Sequence, residues 1–398
     1  MSLFFLRYLA FCLPAVAWLS FAPPLSAEEP LSTIKVWRSQ LQSGDVEVRR
    51  RVAIKIRSAD RAVQKELLVD MIDRLTTDHD GQVRLAIMDA LADMGPDAEG
   101  AIEVLAASMR KNFGGRHNEE IHQDFRAALA LAAIGAPAVA ELRRLLESEE
   151  PTNVRAEAIM ALGRIGGPSE PSVKDLIDLL ADGDDRLRRE AIVALGLIGD
   201  AARKPLLVAA HSNAELARAG AIEALGKVGV SNPGDVDIII TSTNDEKSLV
   251  RAAAIASLSK INLPDDKRKK ILVESLADSE PSVRLAVVNA LADDRKLLLS
   301  IERELVELLT ADDDGVAWHA AFLLQRTGHD AVTVLLEVAT EDDARVGQLG
   351  RALSLIGSLI TPELFAAMGH PNPRVRRTAA FALGEIRPIQ ADTATLLA

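Results

Sequence analysis

One phrase recurs along this chain and restricts it to a single kind of fold. Its clearest copy is Val154-Arg-Ala-Glu-Ala-Ile-Met-Ala-Leu-Gly-Arg-Ile-Gly166. With Val154 as position 1, residues Val154, Ala158, Ala161, Leu162 and Ile165 fall within about 100° of one another on a helical projection. Arg155, at position 2, borders that stripe, and positions 3, 7 and 10 face the opposite side. Thr152 and Asn153 offer side-chain oxygens before the first turn. Gly166 can enter the left-handed conformation that closes a helix. The phrase is an amphipathic helix with its own start and stop.

Position 9 reappears as Ile56, Leu91, Leu131, Leu162, Leu195, Leu225, Leu258, Leu291, Leu324, Leu353 and Leu383, at spacings of 29 to 40 residues. Position 8 is alanine in Ala90, Ala130, Ala161, Ala194, Ala224, Ala290, Ala352 and Ala382. A methyl group there lets a neighbouring helix approach closely. Position 13 is glycine in Gly95, Gly135, Gly166, Gly199, Gly229, Gly328 and Gly357. One signature helix per period, with a period mostly of 30 to 35 residues, is the mark of a solenoid.

Each period has room for one more helix. Val173, Leu176, Ile177 and Leu180 follow the i, i+3, i+4, i+7 spacing of an amphipathic helix over Glu170–Leu180. Val139–Leu146, Ile271–Leu276, Leu305–Leu309 and Val332–Val338 read the same way. Asp235–Thr243 is rich in β-branched residues, yet solenoid packing can override that propensity, so it too is expected to be helical. Each unit is then a hairpin, helix A followed by helix B, with the signature on B. The expected fold is all-α: a superhelical α-solenoid of about eleven two-helix repeats over residues 28–388.

These residues carry a resemblance. An acid or Asn in the A–B turn, then Val-Arg, then Ala-Leu-Gly-x-Ile-Gly, resembles the HEAT-repeat family, in the short variety typical of phycobilin lyases. Asp45, Asp80, Asp184, Asp313, Asp342 and Asn372 each lie three residues before position 1. Position 2 is Arg49, Arg84, Arg155, Arg188, Arg218, Arg251, Arg284 or Arg376. The resemblance implies that these acids and arginines form a structural ladder between repeats, and that the B helices line the concave side.

Residues 1–27 hold one charge, Arg7, then the mostly apolar run Tyr8–Phe21, then Pro23-Pro24-Leu-Ser-Ala27 before Glu28-Glu29. That order describes a secretory signal peptide. Pro14 and the short core argue against a retained anchor, so the mature protein is expected to be exported, periplasmic or secreted, with no membrane attachment. The single cysteine, Cys12, lies in this leader, and Phe11 before it is too large for a lipidation site. A cleaved chain would contain no thiol, which excludes disulfides, thiol nucleophiles and cysteine-bound metal. At the other end, residues 389–398 suffice for a partial helix only, which would leave apolar surface exposed or covered by a partner.

The whole chain carries a net charge of −12. Basic residues concentrate at Lys35–Lys65, which includes Arg49-Arg50-Arg51, and at Lys267–Lys270. A nucleic-acid binder needs a basic face continuing along the solenoid, and these two runs do not make one. The lengthened third repeat gathers His117, Glu119, Glu120 and His122 in an order that matches no metal motif, so a polar loop is the plainer reading. The fold also hosts enzymes. A hydroxylase of the deoxyhypusine type uses His-Glu dipeptides, and none of the seven histidines here precedes Glu. Phycobilin lyases act on cytosolic antenna proteins, which an export signal fits poorly. No phosphate loop, dinucleotide fingerprint, metalloprotease motif or nucleophile elbow is present, and no cofactor is expected. The remaining reading is a non-catalytic scaffold that binds a protein or peptide on its concave surface. Position 7 of helix B is large and apolar at Ile54, Leu129, Met160, Val193, Phe322 and Phe381. Either the curvature buries these side chains between B helices, or they form a groove. Trp318 sits four residues before Phe322 on one helical face, and Phe381 shares the azimuth of Phe322. Aromatic rings dominate binding hot spots, so Trp318, Phe322 and Phe381 are the candidate protein-binding residues. The leader makes its own prediction: intact mass measurement of the native protein should find a chain lacking residues 1–27, and recovery of Met1 or Leu3 would refute export by cleavage.

Overall fold

The computed structural model of this protein describes residues 30–110, 121–292, 294–309, 314–341 and 346–386. They form an α-solenoid, with no strand among the described residues. Residues 30–94 make one compact unit and residues 95–386 a second. The leader, the His117–Glu120 stretch and residues 389–398 lie outside the described residues.

In the first unit the B helices are Val46–Arg57 and Gly81–Met94. In the second they are Ile121–Ile134, Thr152–Ile165, Asp185–Ile198, Glu215–Val228, Ser248–Leu258, Pro281–Leu291, Asp314–Thr327, Val346–Ile356 and Pro373–Glu385. Within each unit, consecutive B helices pack side by side, and an A helix precedes each one. The β-branched segment is helical, as Pro233–Ser242. Asn232 caps it by accepting the Gly234 N–H at 3.1 Å. The expected single helix over Glu170–Leu180 is instead a chain of short pieces. A 3-10 segment covers Gly167–Ser172, an α-helix Val173–Asp178 and a second 3-10 turn Leu179–Ala181. Pro168 and Pro171 lack N–H donors, so the α ladder cannot start before Val173.

The recurring leucine is the centre of each layer. Ile56, Leu91, Leu131, Leu162, Leu195, Leu225, Leu258, Leu291, Leu324 and Leu353 are fully excluded from solvent, whereas Leu383 in the last B helix is half-buried. The seven position-13 glycines all have positive φ. Gly166 is not left-handed as expected. Its φ of 73° comes with ψ of −138°, a region closed to residues with a Cβ. Gly229 does adopt the left-handed conformation.

Position 10, on the side away from the core, makes the closest helix approach. A methyl group at Gly163 would lie 2.8 Å from the Ala194 Cα, and one at Gly226 would lie 2.6 Å from the Ser257 Cβ and 3.0 Å from its Cα. Ala194 and Ser257 are the position-8 residues of the next repeats, so a small residue faces a glycine across these two joints, whereas Gly196 faces Lys227. Gly384, at position 10 of the last B helix, has nothing within 4 Å. The two settings predict opposite signs for one substitution. Gly163→Ala should destabilise by about 1–3 kcal/mol, because a helix backbone must move. Gly384→Ala should stabilise by about 0.5–1 kcal/mol through helix propensity. Denaturation midpoints shifting in the same direction would show that the close approach is misassigned.

Candidate functional site: the ladder and the B-helix face

Two edges of the B helix carry its polar and exposed chemistry. At position 2, Arg49, Arg155, Arg218 and Arg251 each reach an aspartate in the following repeat among the described residues. Arg49 Nε donates to Asp78 at 2.7 Å, and Arg155 Nη2 to Asp182 at 3.1 Å. Arg218 grips Asp245 with two bonds, at 2.8 and 2.9 Å, and Arg251 grips Asp278 at 2.7 and 2.8 Å. The same guanidiniums also bind the turn before their own helix. Arg218 donates to the Ser212 carbonyl at 2.7 Å and Arg251 to the Asp245 carbonyl at 2.9 Å. Arg84, Arg188, Arg284 and Arg376 donate to the carbonyls of Asp78, Asp182, Asp278 and His370, at 2.6, 2.5, 2.6 and 2.8 Å respectively. Arg188 further pairs with its own Asp185 at 2.8 Å.

The rung acids are not those that the sequence spacing singled out. Asp45, Asp184 and Asn372 cap their own helices, accepting from the N–H groups of Glu47, Arg186 and Arg374. Asp80 accepts the Val83 N–H and pairs with Arg50, at position 3, rather than with Arg49. Asp313 and Asp342 lie outside the described residues. The acids that join repeats, Asp78, Asp182, Asp245 and Asp278, stand two residues further upstream. In Asp45, Asp184 and Asn372 the side chain nearer the helix is turned to the helix N-terminus, whereas Asp80 does both, capping its helix and meeting Arg50 of the preceding repeat. Both basic runs are drawn into such pairing. Arg50 holds Asp80, Lys269 meets Glu304 at 2.7 Å, and Lys267 lies 3.9 Å from Asp237.

The other edge is the face of positions 3 and 7. Trp318 is 55% exposed and stacks on Phe322, with centroids 5.5 Å apart and planes 16° from parallel. His319 packs its ring edge-on against Trp318 at 5.0 Å. It is itself buried, and its Nδ1 donates to the Gly315 carbonyl at 2.6 Å. Val316, Ala320, Leu323 and Leu324 turn the opposite side of this helix into the core. Phe381 is half-buried and lies over the neighbouring B helix, where a methyl group at Gly350 would be 2.6 Å from its ring. Its ring makes no stacking contact with Trp318 or Phe322 among the described residues. The remaining position-7 residues divide: Ile54 and Val193 are exposed, Met160 is buried, and Leu129 is half-buried. Two exposed apolar residues at position 3 belong to the same face and were missed: Phe125 and, beside the Trp318 repeat, Leu285. Position 3 could have shown them, since Trp318 itself occupies it.

The chain matches known families over these same repeats. A family described as HEAT repeats matches residues 117–195, 173–259 and 205–292, and a related HEAT repeat family matches residues 360–386. These segments are HEAT repeats. Neither description singles out the short phycobilin-lyase variety. No curated protein matches the sequence. A crystal structure of a Kap121p mutant is similar over 92% of this chain and 46% of its own, at 14% identity and a TM-score of 0.51. Kap121p bound to Ste12p is similar over the same shares, also at 14% identity, with a TM-score of 0.50. The HEAT-repeat chain thus spans less than half the length of these structures, and the likeness is one of fold.

Electrostatically, the HEAT ladder works as a set of preformed pairs. The Arg218 hydrogen bonds hold the Asp245 carboxyl below its ordinary value of 3.8 against the opposing effect of burial, helped by the Lys247 N–H. Burial acts most strongly on Asp278, yet Arg251 and the Glu280 N–H still leave its carboxyl lowered. A lowered carboxyl binds fewer protons folded than unfolded, so it contributes stability above the ordinary carboxylate range. That contribution should disappear as pH falls from about 5 through and below 3.8. Asp245→Asn should cost about 1–3 kcal/mol at neutral pH by leaving Arg218 half-satisfied, and should flatten the acid limb of the stability profile. An unchanged acid limb would show that this rung carries no linkage.

Proposed function

We propose that this protein is an exported, non-catalytic HEAT-repeat scaffold. It binds a protein or peptide on the face of its B helices, which in such a solenoid lines the concave side. The observation that carries this reading is the exposed Trp318 stacked on Phe322. Keeping the Trp318 indole at the surface, over a half-buried Phe322, on a helix whose other side is buried exposes apolar area that folding would otherwise cover. Leu285 in the preceding repeat widens the apolar surface. The fold likeness to Kap121p, which has been crystallised bound to Ste12p, supports a protein-binding role, and the leader of residues 1–27 supports export.

The test is affinity capture from the exported fraction, followed by binding measurements on the captured partner. Trp318→Ala should weaken binding about five- to thirtyfold, corresponding to about 1–2 kcal/mol, with the thermal melt little changed. Leu324→Ala should instead lower stability by about 2–5 kcal/mol. Binding that survives loss of both Trp318 and Phe322 undiminished would overturn the assignment of this face.

A further inference from the structure

Arg351 differs from the ladder arginines. It occupies position 7 of the B helix Val346–Ile356, the position held by Phe322 in the preceding repeat and Phe381 in the following one. Its side chain is exposed, and among the described residues its guanidinium makes no ion pair or hydrogen bond. By contrast, all eight position-2 arginines are hydrogen-bonded to a turn of their own repeat or the next. The helix Val346–Ile356 packs between Asp314–Thr327 and Pro373–Glu385. Position 7 therefore runs ring, guanidinium, ring across three adjacent helices. Gly350 allows this arrangement, because the Phe381 ring lies against the helix where a side chain would otherwise stand.

We propose that this row binds an extended segment of another protein that carries an acidic residue between two large apolar residues, each about three positions from it. The inference rests on the binding-face reading above and specifies its ligand. Neighbouring helices stand roughly 8–10 Å apart, and a segment in the extended polyproline II conformation advances about 3.1 Å per residue with about three residues per turn. Such a segment crossing the B helices thus presents one side chain to each helix at every third residue. The Trp318–Phe322 stack with Leu285 takes one apolar anchor and Phe381 the other. Arg351 takes the carboxylate, for which its planar fork is the matched donor. The chain has a net charge of −12, so an unpaired guanidinium on an apolar face is a local reversal of sign that favours an acid there and rejects a lysine.

Panning a phage-displayed library of random dodecapeptides on the full chain tests this, with anisotropy of the selected fluorescein-labelled peptide as the measurement. The expected consensus has Asp or Glu at the centre and large apolar residues three positions to either side. Arg351→Gln should weaken that peptide by about tenfold or more, as should amidation of its central acid. The two changes together should cost no more than either one. Arg351→Lys should restore part of the affinity. Circular dichroism melts should not move, since the guanidinium has no partner among the described residues. A consensus without an acid, but still sensitive to Trp318→Ala, would overturn this inference and leave the binding-face reading standing. Enrichment insensitive to Trp318→Ala, or no enrichment, would overturn both. Tighter binding of a fluorescein-labelled oligothymidine, competing with the peptide, would overturn the assignment to protein.

Discussion

Every layer of this molecule depends on a leucine that its own hairpin cannot bury. Position 9 is fully excluded from solvent in ten repeats, and within each unit the B helices that carry it pack side by side. A hairpin taken singly would leave that stripe wet. Stability is therefore a sum of nearest-neighbour contacts rather than the property of one core. The small residues at positions 8 and 10 follow from this. Where Gly163 faces Ala194, the two helices approach closely enough that one added methyl group would collide with backbone.

Packing of apolar stripes is weakly directional, and a helix can slide along its neighbour with little penalty. The arginine ladder removes that freedom. Asp245 shows how it does so with few atoms. Its carboxylate receives Arg218 from the preceding repeat, its carbonyl receives Arg251 from its own helix, and its Oδ1 accepts the Lys247 N–H. One short side chain thus fixes a helix start, a turn and an inter-repeat distance together. Glutamate would place the carboxylate one methylene too far to close the local turn. Lysine, with a single point of charge, would lose the two-pronged grip that sets the angle.

The repeat and its two-helix unit were legible in the sequence because burial imposes a period, and a period survives any local irregularity. The identity of the rung acid was not legible. Asp184 and Asp182 are both aspartates in the same turn, and only the direction of the backbone decides which one caps the helix and which one crosses the joint. Glu170–Leu180 reads as one helix in the sequence because hydrophobic spacing does not register the missing N–H groups of Pro168 and Pro171. On the B-helix face, Trp318 and Phe322 stand out in the sequence as aromatic rings four residues apart on one helix, and position 3 would have shown Phe125 and Leu285. The exposure of Arg351 between two rings is visible only once neighbouring helices are aligned.

Repeats nine and ten depart from the ladder at position 2. Position 2 is Ala317 in one and Val346 in the other, so neither has a position-2 guanidinium for the turn before its helix. In the tenth repeat an arginine stands five residues later, at Arg351, which places it about 140° around the helix from position 2. It has left the edge that joins repeats for the edge that faces outward. The joint it no longer ties is held by shape, with the Phe381 ring seated in the space that Gly350 leaves. Such a seat secures the neighbouring helix through contact area and asks nothing of charge. Among the described residues no carboxylate meets the Arg351 guanidinium.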